Sequence, residues 1–313
     1  MIAQSLLLLA FGLVILVKGA DWFVEGAAMI ARRSGISELV IGLTIVALGT
    51  SLPEAAVSIA AALENNSGVA IGNVVGSNIA NILLILGLTS ILASVSVKKA
   101  TVTTELPFLI IVTVLLLIAG RTGSSISRVE GALFCVLFVV YLGYLYAMSR
   151  KGEANPAEDT HPMDRPVWQC AAILVLTGIM IIKGSEFVVD GAKDIAAYVG
   201  LSDRIIGLTI VAVGTSLPEL VTCLAAALKG KADLAIGNIV GSNIFNILFI
   251  LGTASIITPV PFEPDFIIDM AVCILAAVML WLGVLRKKTL SRPGGIVMLA
   301  VYAGYIVYLL INV

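Results

Sequence analysis

Apolar runs of about 20 residues follow one another along this chain, separated by short polar turns. A helix of that length spans the hydrocarbon core of a bilayer, so each run predicts a membrane-crossing helix. Ten spans are expected, at 3–30, 37–63, 69–95, 102–120, 126–148, 167–197, 203–228, 234–258, 265–285 and 294–312. The first and sixth are long, and their charged ends are expected to tilt or project. The one sizeable polar connector is SRKGEANPAEDTHPMDRP, residues 149–166. It is too short to fold alone and reads as a solvated linker between two five-span halves, 1–148 and 167–313.

The halves repeat each other with an offset of 165. GLTIVALGTSLPE (42–54) returns as GLTIVAVGTSLPE (207–219), and AIGNVVGSNIANIL (70–83) as AIGNIVGSNIFNIL (235–248). Upstream, KGADWFVEGA (18–27) is echoed by KGSEFVVDGA (183–192). A half with an odd number of spans enters on one face and leaves on the other, so the second half is expected to lie upside down relative to the first. The predicted fold class is therefore an all-α polytopic membrane protein of ten transmembrane helices. They form two inverted five-helix repeats, with broken helices at a midplane site where the halves meet.

Composition narrows the function. The chain is 59% hydrophobic and 12% charged, with a mean hydropathy of +1.09, which excludes a soluble globular domain of this length. A net charge of −1 gives no reason to expect nucleic acid. Cys135, Cys170, Cys223 and Cys273 are far apart in apolar segments and read as ordinary buried thiols. The single histidine, His161, falls in the polar linker, so no histidine relay crosses the membrane. The N-terminal run lacks a basic region and a small-residue cleavage site. It also has a copy in span six, so it is expected in the mature protein. Basic residues gather on one side, at Arg32, Arg33, Lys98, Lys99, Arg150, Lys151, Arg165, Lys229, Lys231, Arg286, Lys287, Lys288 and Arg292. The other side has Arg121, Arg128, Lys193 and Arg204. The positive-inside rule predicts a cytoplasmic linker and both termini outside, and the short, unadorned chain leads us to expect a plasma membrane. Lys18 and Lys183 lie within spans, each three residues before an acid, Asp21 and Glu186, and are expected to pair with it near the interface.

The chemistry sits where membrane helices tolerate it least. Glu54 and Glu219 fall inside apolar spans, where an acid costs roughly 2.5–3.5 kcal/mol on the insertion scale. Pro53 and Pro218 stand beside them, remove a backbone donor and free carbonyls of the preceding turn, near Ala47, Thr50, Ala212 and Thr215. Such carbonyls must be met by protein, water or an ion. Around them stand the hydroxyls of Thr50, Ser51, Thr215 and Ser216. In GNxxGSNxxN, Ser77 and Asn81 share a helix face, as do Ser242 and Asn246. Every ligand is a hard oxygen, which suits Na⁺, Ca²⁺, Mg²⁺ or Mn²⁺ and argues against zinc or copper.

Ser and Asn in membrane helices also serve simply as interhelical glue. That reading is favoured for Asn73, Asn78, Asn238 and Asn243; the ligand reading is favoured for Ser77, Ser242, Asn81 and Asn246. Thr44 and Thr209 are expected to bond back to their own helices. Glu54 and Glu219 have no lysine or arginine nearby in sequence, and intramembrane acids mark ion paths by default. Two ionised glutamates carry about −2. One Ca²⁺ or two Na⁺ neutralises them, and a site that holds either but not both is an exchanger by electrostatics.

The paired GTSLPE and GNxxGSNxxN motifs resemble the two α-repeats of the calcium/cation antiporter superfamily, with closest likeness to prokaryotic sodium/calcium exchangers. The resemblance covers essentially the whole chain. It implies Na⁺/Ca²⁺ antiport by alternating access, in the direction of Ca²⁺ export, with spans one and six sliding across the rest. It implies no enzyme activity, no cofactor and no protein partner beyond the bilayer. Ca²⁺ would be held by Glu54, Glu219 and the carbonyls of Thr50 and Thr215. One Na⁺ site would be Ser51, Ser77, the Ala47 carbonyl and Glu219; the other Ser216, Ser242, the Ala212 carbonyl and Glu54. Asn81 and Asn246 would lie between them. Several relatives carry aspartate at the position of Asn246, and potassium-dependent ones use an acid there. Asparagine in both copies argues against a K⁺ requirement. The large cytosolic Ca²⁺-sensing insert of animal exchangers is absent, as is the histidine of the proton-coupled branch. An H⁺-coupled divalent exchanger, its desolvated glutamates carrying protons, is the alternative reading, and a passive channel is a third.

Overall fold

The computed structural model describes residues 2–64, 67–150, 166–198 and 212–312. Most of the linker, including His161, lies outside these, as do Arg204, Thr209 and the start of the span expected at 203–228.

Helix α1 (Ile2–Ser34) is followed by α2 (Glu38–Thr50) and α3 (Leu52–Leu63), which are bent 51° at Ser51. Helix α4 covers Gly68–Leu92, strand β1 Val95–Ser96, α5 Thr101–Gly123, β2 Ser125–Ile126 and α6 Arg128–Arg150. Then come α7 (Val167–Tyr198), the short α8 (Ala212–Thr215), α9 (Leu217–Leu228) and α10 (Ala232–Ile257). Strand β3 (Val260–Pro261), α11 (Phe266–Leu285), β4 (Thr289–Leu290) and α12 (Arg292–Asn312) close the chain. Among the described residues, eight helices are long and apolar enough to cross a membrane, or nine if the bent α2–α3 pair is one span.

Two short antiparallel ribbons fix the ends of the molecule. β1 pairs with β4, Val95 opposite Leu290; β2 pairs with β3, Ile126 opposite Val260. Each ribbon joins a strand of one half to a strand of the other. Helix α5 runs from the first ribbon to the second and α11 runs back, so the ribbons sit at opposite ends and the two helices are antiparallel. Basic residues collect at the β1–β4 end. Lys98 pairs with Asp233 at 2.8 Å and Lys231 with Glu38 at 3.3 Å.

Helices α1 and α7 lie against each other, antiparallel. A Cβ on Gly12 would stand 2.8 Å from that of Phe187, and one on Gly184 would stand 2.7 Å from the Leu16 backbone nitrogen. Small residues let the two backbones come this close. Of the two ion pairs expected on these helices, Lys183–Glu186 is present at 2.7 Å. Asp21 instead meets Lys229 at 2.7 Å, as does Glu25, and among the described residues Lys18 has no ion pair. Partial burial works against the Lys229 charge, but hydrogen bonds to the two acids hold its ammonium above the usual lysine range.

The centre is made by α4 and α10, the most buried of the long helices. Nearly all of α10 is out of contact with the surroundings, so its polar residues must find partners inside the protein. At Gly42 and Gly237 the α2 and α10 backbones touch: a Cβ on either would stand 3.1 Å from the other's Cα. Leu39, Ile71, Val74, Ile236 and Ile239 pack the apolar layer around this crossing. All four cysteines are free.

Candidate ion-binding site

The bend at Ser51 follows from Pro53. Through the break the chain keeps Ser51 N–H to Ala47 O and Ala55 N–H to Ser51 O, both 3.1 Å, but Pro53 has no N–H to offer Gly49. The Ala47 carbonyl is thus not stripped of its backbone partner, contrary to the sequence expectation. It is drawn into the site by its second lone pair, which the Ser242 hydroxyl approaches at 3.4 Å. Pro53 at the start of α3 is in the position a helix tolerates best, and Pro218 repeats this at the start of α9. Each proline thereby ends one helix and begins the next with a glutamate in its first turn.

Those glutamates are both buried, at 1% exposure. Ser51, three residues before Glu54, bonds Glu219, so the two acid-bearing segments meet. Their surroundings come from both halves. Ser51 donates to Glu219 Oε1 at 2.7 Å. The Thr50 hydroxyl lies 3.1 Å from Asn238 Oδ1 and 3.2 Å from Val46 O. Ser216 stands beside Glu54 without closing a hydrogen bond of good geometry among the described residues. Ser77 and Ser242 are buried on the facing helices.

Four asparagines hold α4 against α10. Asn78 Nδ2 donates to Asn243 O at 3.1 Å, and Asn243 Nδ2 to Asn78 O at 3.2 Å. Asn81 Nδ2 donates to Asn243 Oδ1 at 2.9 Å, and Asn246 Nδ2 to Asn78 Oδ1 at 3.0 Å. Adding 165 to the first member of each pair of bonds gives the second. Asn73 donates to Glu54 O and to Ser58 Oγ. Asn73, Asn78 and Asn243 therefore spend their amides as glue. Asn81 and Asn246 spend their NH₂ groups the same way, which leaves their carbonyl oxygens.

Those leftover oxygens are the candidate ligands. Both oxygens of Glu54, Oε2 of Glu219, and Oδ1 of Asn81 and Asn246 are buried without a hydrogen-bond partner. A buried acceptor left bare costs about 1–3 kcal/mol, more when charged. Five such oxygens, buried and unpartnered, are candidate ligands for a positive charge. All are hard oxygens, and no group of three or more Asp, Glu, His or Cys occurs among the described residues, so soft-metal chemistry has no ligands here. Of the expected ligands, Thr215 is half-buried at the end of α8, whereas the side chain of Ala212 lies outside the described residues. Thr44 bonds back to Val40 O at 2.6 Å.

The model of the sodium/calcium exchanger protein family matches residues 4–147 and 170–311. The chain belongs to the sodium/calcium exchanger family. It is 43% identical to a putative antiporter, CaxA, of Alkalimonas amylolytica, over 94% of this chain and 95% of that one. It is 33% identical to the sodium/calcium exchanger MaX1 of Methanosarcina acetivorans, over 99% of both. Its fold matches the sodium-calcium exchanger NCX_Mj, in a structure soaked with zero Na⁺ and Ca²⁺. There the TM-score is 0.87 and the identity 34%, covering 99% of this chain and 100% of that one. Members of this family exchange cations, Ca²⁺ among them, and the apolar helices place this one in a membrane.

Two further intramembrane acids escape the motif search. Glu105 on α5 accepts from Tyr144 OH at 2.9 Å and from Tyr141 OH at 3.4 Å. Asp269 on α11 accepts from Tyr305 OH at 2.8 Å. In both halves acid and tyrosine are 36 residues apart, and the copies are offset by 164. The signal lay in the sequence as E…YLGY and D…YIVY. It is spread over two helices, the acid changes type, and the offset has slipped by one.

Proposed function

We propose that this protein is a Na⁺-driven Ca²⁺ antiporter of the plasma membrane that works by alternating access and moves Ca²⁺ outward. The observation that carries the reading is the set of bare acceptor oxygens on Glu54, Glu219, Asn81 and Asn246. Two carboxylates carry about −2, so one Ca²⁺ or a pair of Na⁺ satisfies the same oxygens, and neither occupant leaves room or charge for the other. Glu54 and Glu219 with the carbonyls of Thr50 and Thr215 hold Ca²⁺. Ser51, Ser77, the Ala47 carbonyl and Glu219 hold one Na⁺; Ser216, Ser242, the Ala212 carbonyl and Glu54 hold the other, with Asn81 and Asn246 between. Needing no acid at position 246, the transport is independent of K⁺.

The architecture in this reading is ten spans in two inverted five-helix repeats, 1–148 and 167–313, joined by a cytoplasmic linker at 149–166, with both termini outside. The exchange of asparagine bonds under one sequence offset supports it, as do the ribbons that each join the two halves. The close glycine-lined contact of α1 with α7 supports their moving together as one body.

Proteoliposomes loaded with Na⁺ and diluted into Na⁺-free buffer test the coupling. ⁴⁵Ca²⁺ uptake that needs the outward Na⁺ gradient is the expected result. Uptake driven as well by a pH gradient alone would transfer the chain to H⁺-coupled exchange, and uptake without any counter-ion would make it a channel.

A further inference from the structure

Helices α1 and α7 meet symmetrically. A Cβ on Gly19 would stand 3.2 Å from the Ile181 backbone nitrogen, and one on its copy, Gly184, 2.7 Å from that of Leu16, the copy of Ile181. The charged residues of the two helices do not follow this symmetry. KGADWFVE and KGSEFVVD are copies, so Lys18, Asp21 and Glu25 correspond to Lys183, Glu186 and Asp190. On α7 the lysine takes the acid one turn on, with Lys183 and Glu186 2.7 Å apart. On α1 that pair is not made. Asp21 and Glu25 both reach Lys229 at 2.7 Å, whose ammonium also donates to the Asp21 carbonyl at 3.0 Å. Lys18 is left without an ion pair among the described residues.

Lys229 is held firmly in its place. It ends α9, the helix whose first turn carries Glu219. Beyond it the turn closes through Lys231 N–H to Ala226 O at 2.8 Å, with Gly230 at a φ of +74°. A rigid rod of about 15 Å therefore joins a carboxylate of the candidate ion site to the lysine that grips α1. Lys98–Asp233 and Lys231–Glu38, at the same end, tie elements outside α1 and α7 to one another. The Lys229 contacts cross to α1. The repeat copy of Lys229 is Glu64, at the end of α3. Glu64, Glu186 and Asp190 thus put like charges at the positions that pair in the other copy, so attraction of this kind serves one end of the molecule only.

We propose that Lys229 is a one-sided latch. It holds α1 in the position seen here through Asp21 and Glu25. When α1 slides, Asp21 returns to Lys18, the arrangement that α7 already shows between Glu186 and Lys183. The proposal rests on the alternating-access reading, since only a sliding α1 has a second position to be latched against. Exchange of partners keeps Asp21 paired in both positions, which lowers the cost of release. The latch chooses between two folded states, so it shifts their ratio and adds little to the stability of the fold.

Double electron–electron resonance reads that ratio in the full-length protein without any transport. The spin labels are carried by non-canonical amino acids in place of Ser34, at the end of α1, and Ala147, near the end of α6. In the wild type one distance is expected to dominate. Lys229→Gln should raise a second distance relative to the first by about fivefold, the upper end of what a partly exposed pair supplies, and Lys229→Glu by more. Reversing all three charges, with Asp21→Lys, Glu25→Lys and Lys229→Glu together, should restore the wild-type distribution. Lys231→Gln, which touches a pair that does not involve α1, should leave it as it is. Glu64→Lys gives α3 the residue that α9 has, and should favour the second distance with Lys229 intact. Mere loosening of α1 does not have that effect. A distribution unchanged in Lys229→Gln and Lys229→Glu, where Na⁺ and Ca²⁺ do shift that of the wild type, would overturn the latch and leave alternating access standing. One that neither the ions nor these substitutions move would overturn both. A second distance that grows equally in Lys231→Gln would also overturn the latch. The expected shifts in a protein whose Ca²⁺ uptake ignores Na⁺ would keep the latch and remove Na⁺ coupling.

Discussion

Glu54 and Glu219 occupy equivalent places in the two repeats, yet the protein treats them differently. Glu219 receives the Ser51 hydroxyl at 2.7 Å and keeps one bare oxygen. Glu54 keeps two, and the serine equivalent to Ser51, Ser216, stands beside it without closing a bond of good geometry. The repeat supplies the same residues twice, but in this conformation it closes one serine–carboxylate bond and leaves the other open. The half with the open pair has more unmet charge and so depends more on a bound cation. A carboxylate already holding a donor gives up less when the cation leaves.

The largest effect expected from this comparison is at the acids themselves. Glu54→Gln and Glu219→Gln each remove one of two charges from a buried site, and loss of a buried charged partner costs roughly 2–5 kcal/mol. Ca²⁺ uptake in vesicles should fall by about 100-fold or more in each. Near-normal exchange in either would break the two-carboxylate site.

The serines sharpen the difference. Ser51→Ala strips a donor from Glu219 and should lower stability by about 1–3 kcal/mol, read as a shifted melting temperature without added ions. Ser216→Ala removes a hydroxyl that closes no hydrogen bond of good geometry, so its melting temperature without ions should stay near wild type while its apparent Na⁺ affinity drops. Equal thermal effects would mean the two halves are energetically alike. A smaller change is expected at the central amide pair. Asn246→Asp adds an ionisable group at a buried, unpartnered oxygen, and should make Ca²⁺ uptake depend on pH or K⁺. An unchanged profile would show that this position does not face the ions. Least of all, Lys229→Ala frees Asp21 and Glu25 at a partly exposed ion pair. It should cost less than about 1 kcal/mol, and less again in high salt; a larger loss would mean that this contact braces α1 against the rest.

Much of this was legible in the sequence because two signals coincide there. An acid in an apolar span is costly enough to demand a reason, and the repeat gives the same reason twice. The choice of positions 50, 51, 54, 77 and 81, and their copies, as candidate ligands follows from that. What the sequence could not give is which atom of each residue is free. Asn81 and Asn246 both give their NH₂ groups to the opposite helix and keep their oxygens unpartnered, and only the crossing of α4 with α10 decides that. The π-helical turns Ala80–Leu86 and Asn246–Leu251 also shift the helix phase at this point, so a 3.6-residue reading loses the face beyond Asn81. The partner of Asp21 was missed for a simpler reason. A lysine one turn away is visible in sequence, whereas Lys229, 208 residues on, is brought there by tertiary packing.

The central claim is that the bare oxygens bind the cation, and equilibrium ⁴⁵Ca²⁺ binding to the purified protein tests it without the complications of transport. Bound Ca²⁺ that Na⁺ displaces, and that is lost in both Glu54→Gln and Glu219→Gln, is the result this account predicts. Binding that survives both substitutions, or that Na⁺ leaves untouched, would contradict it.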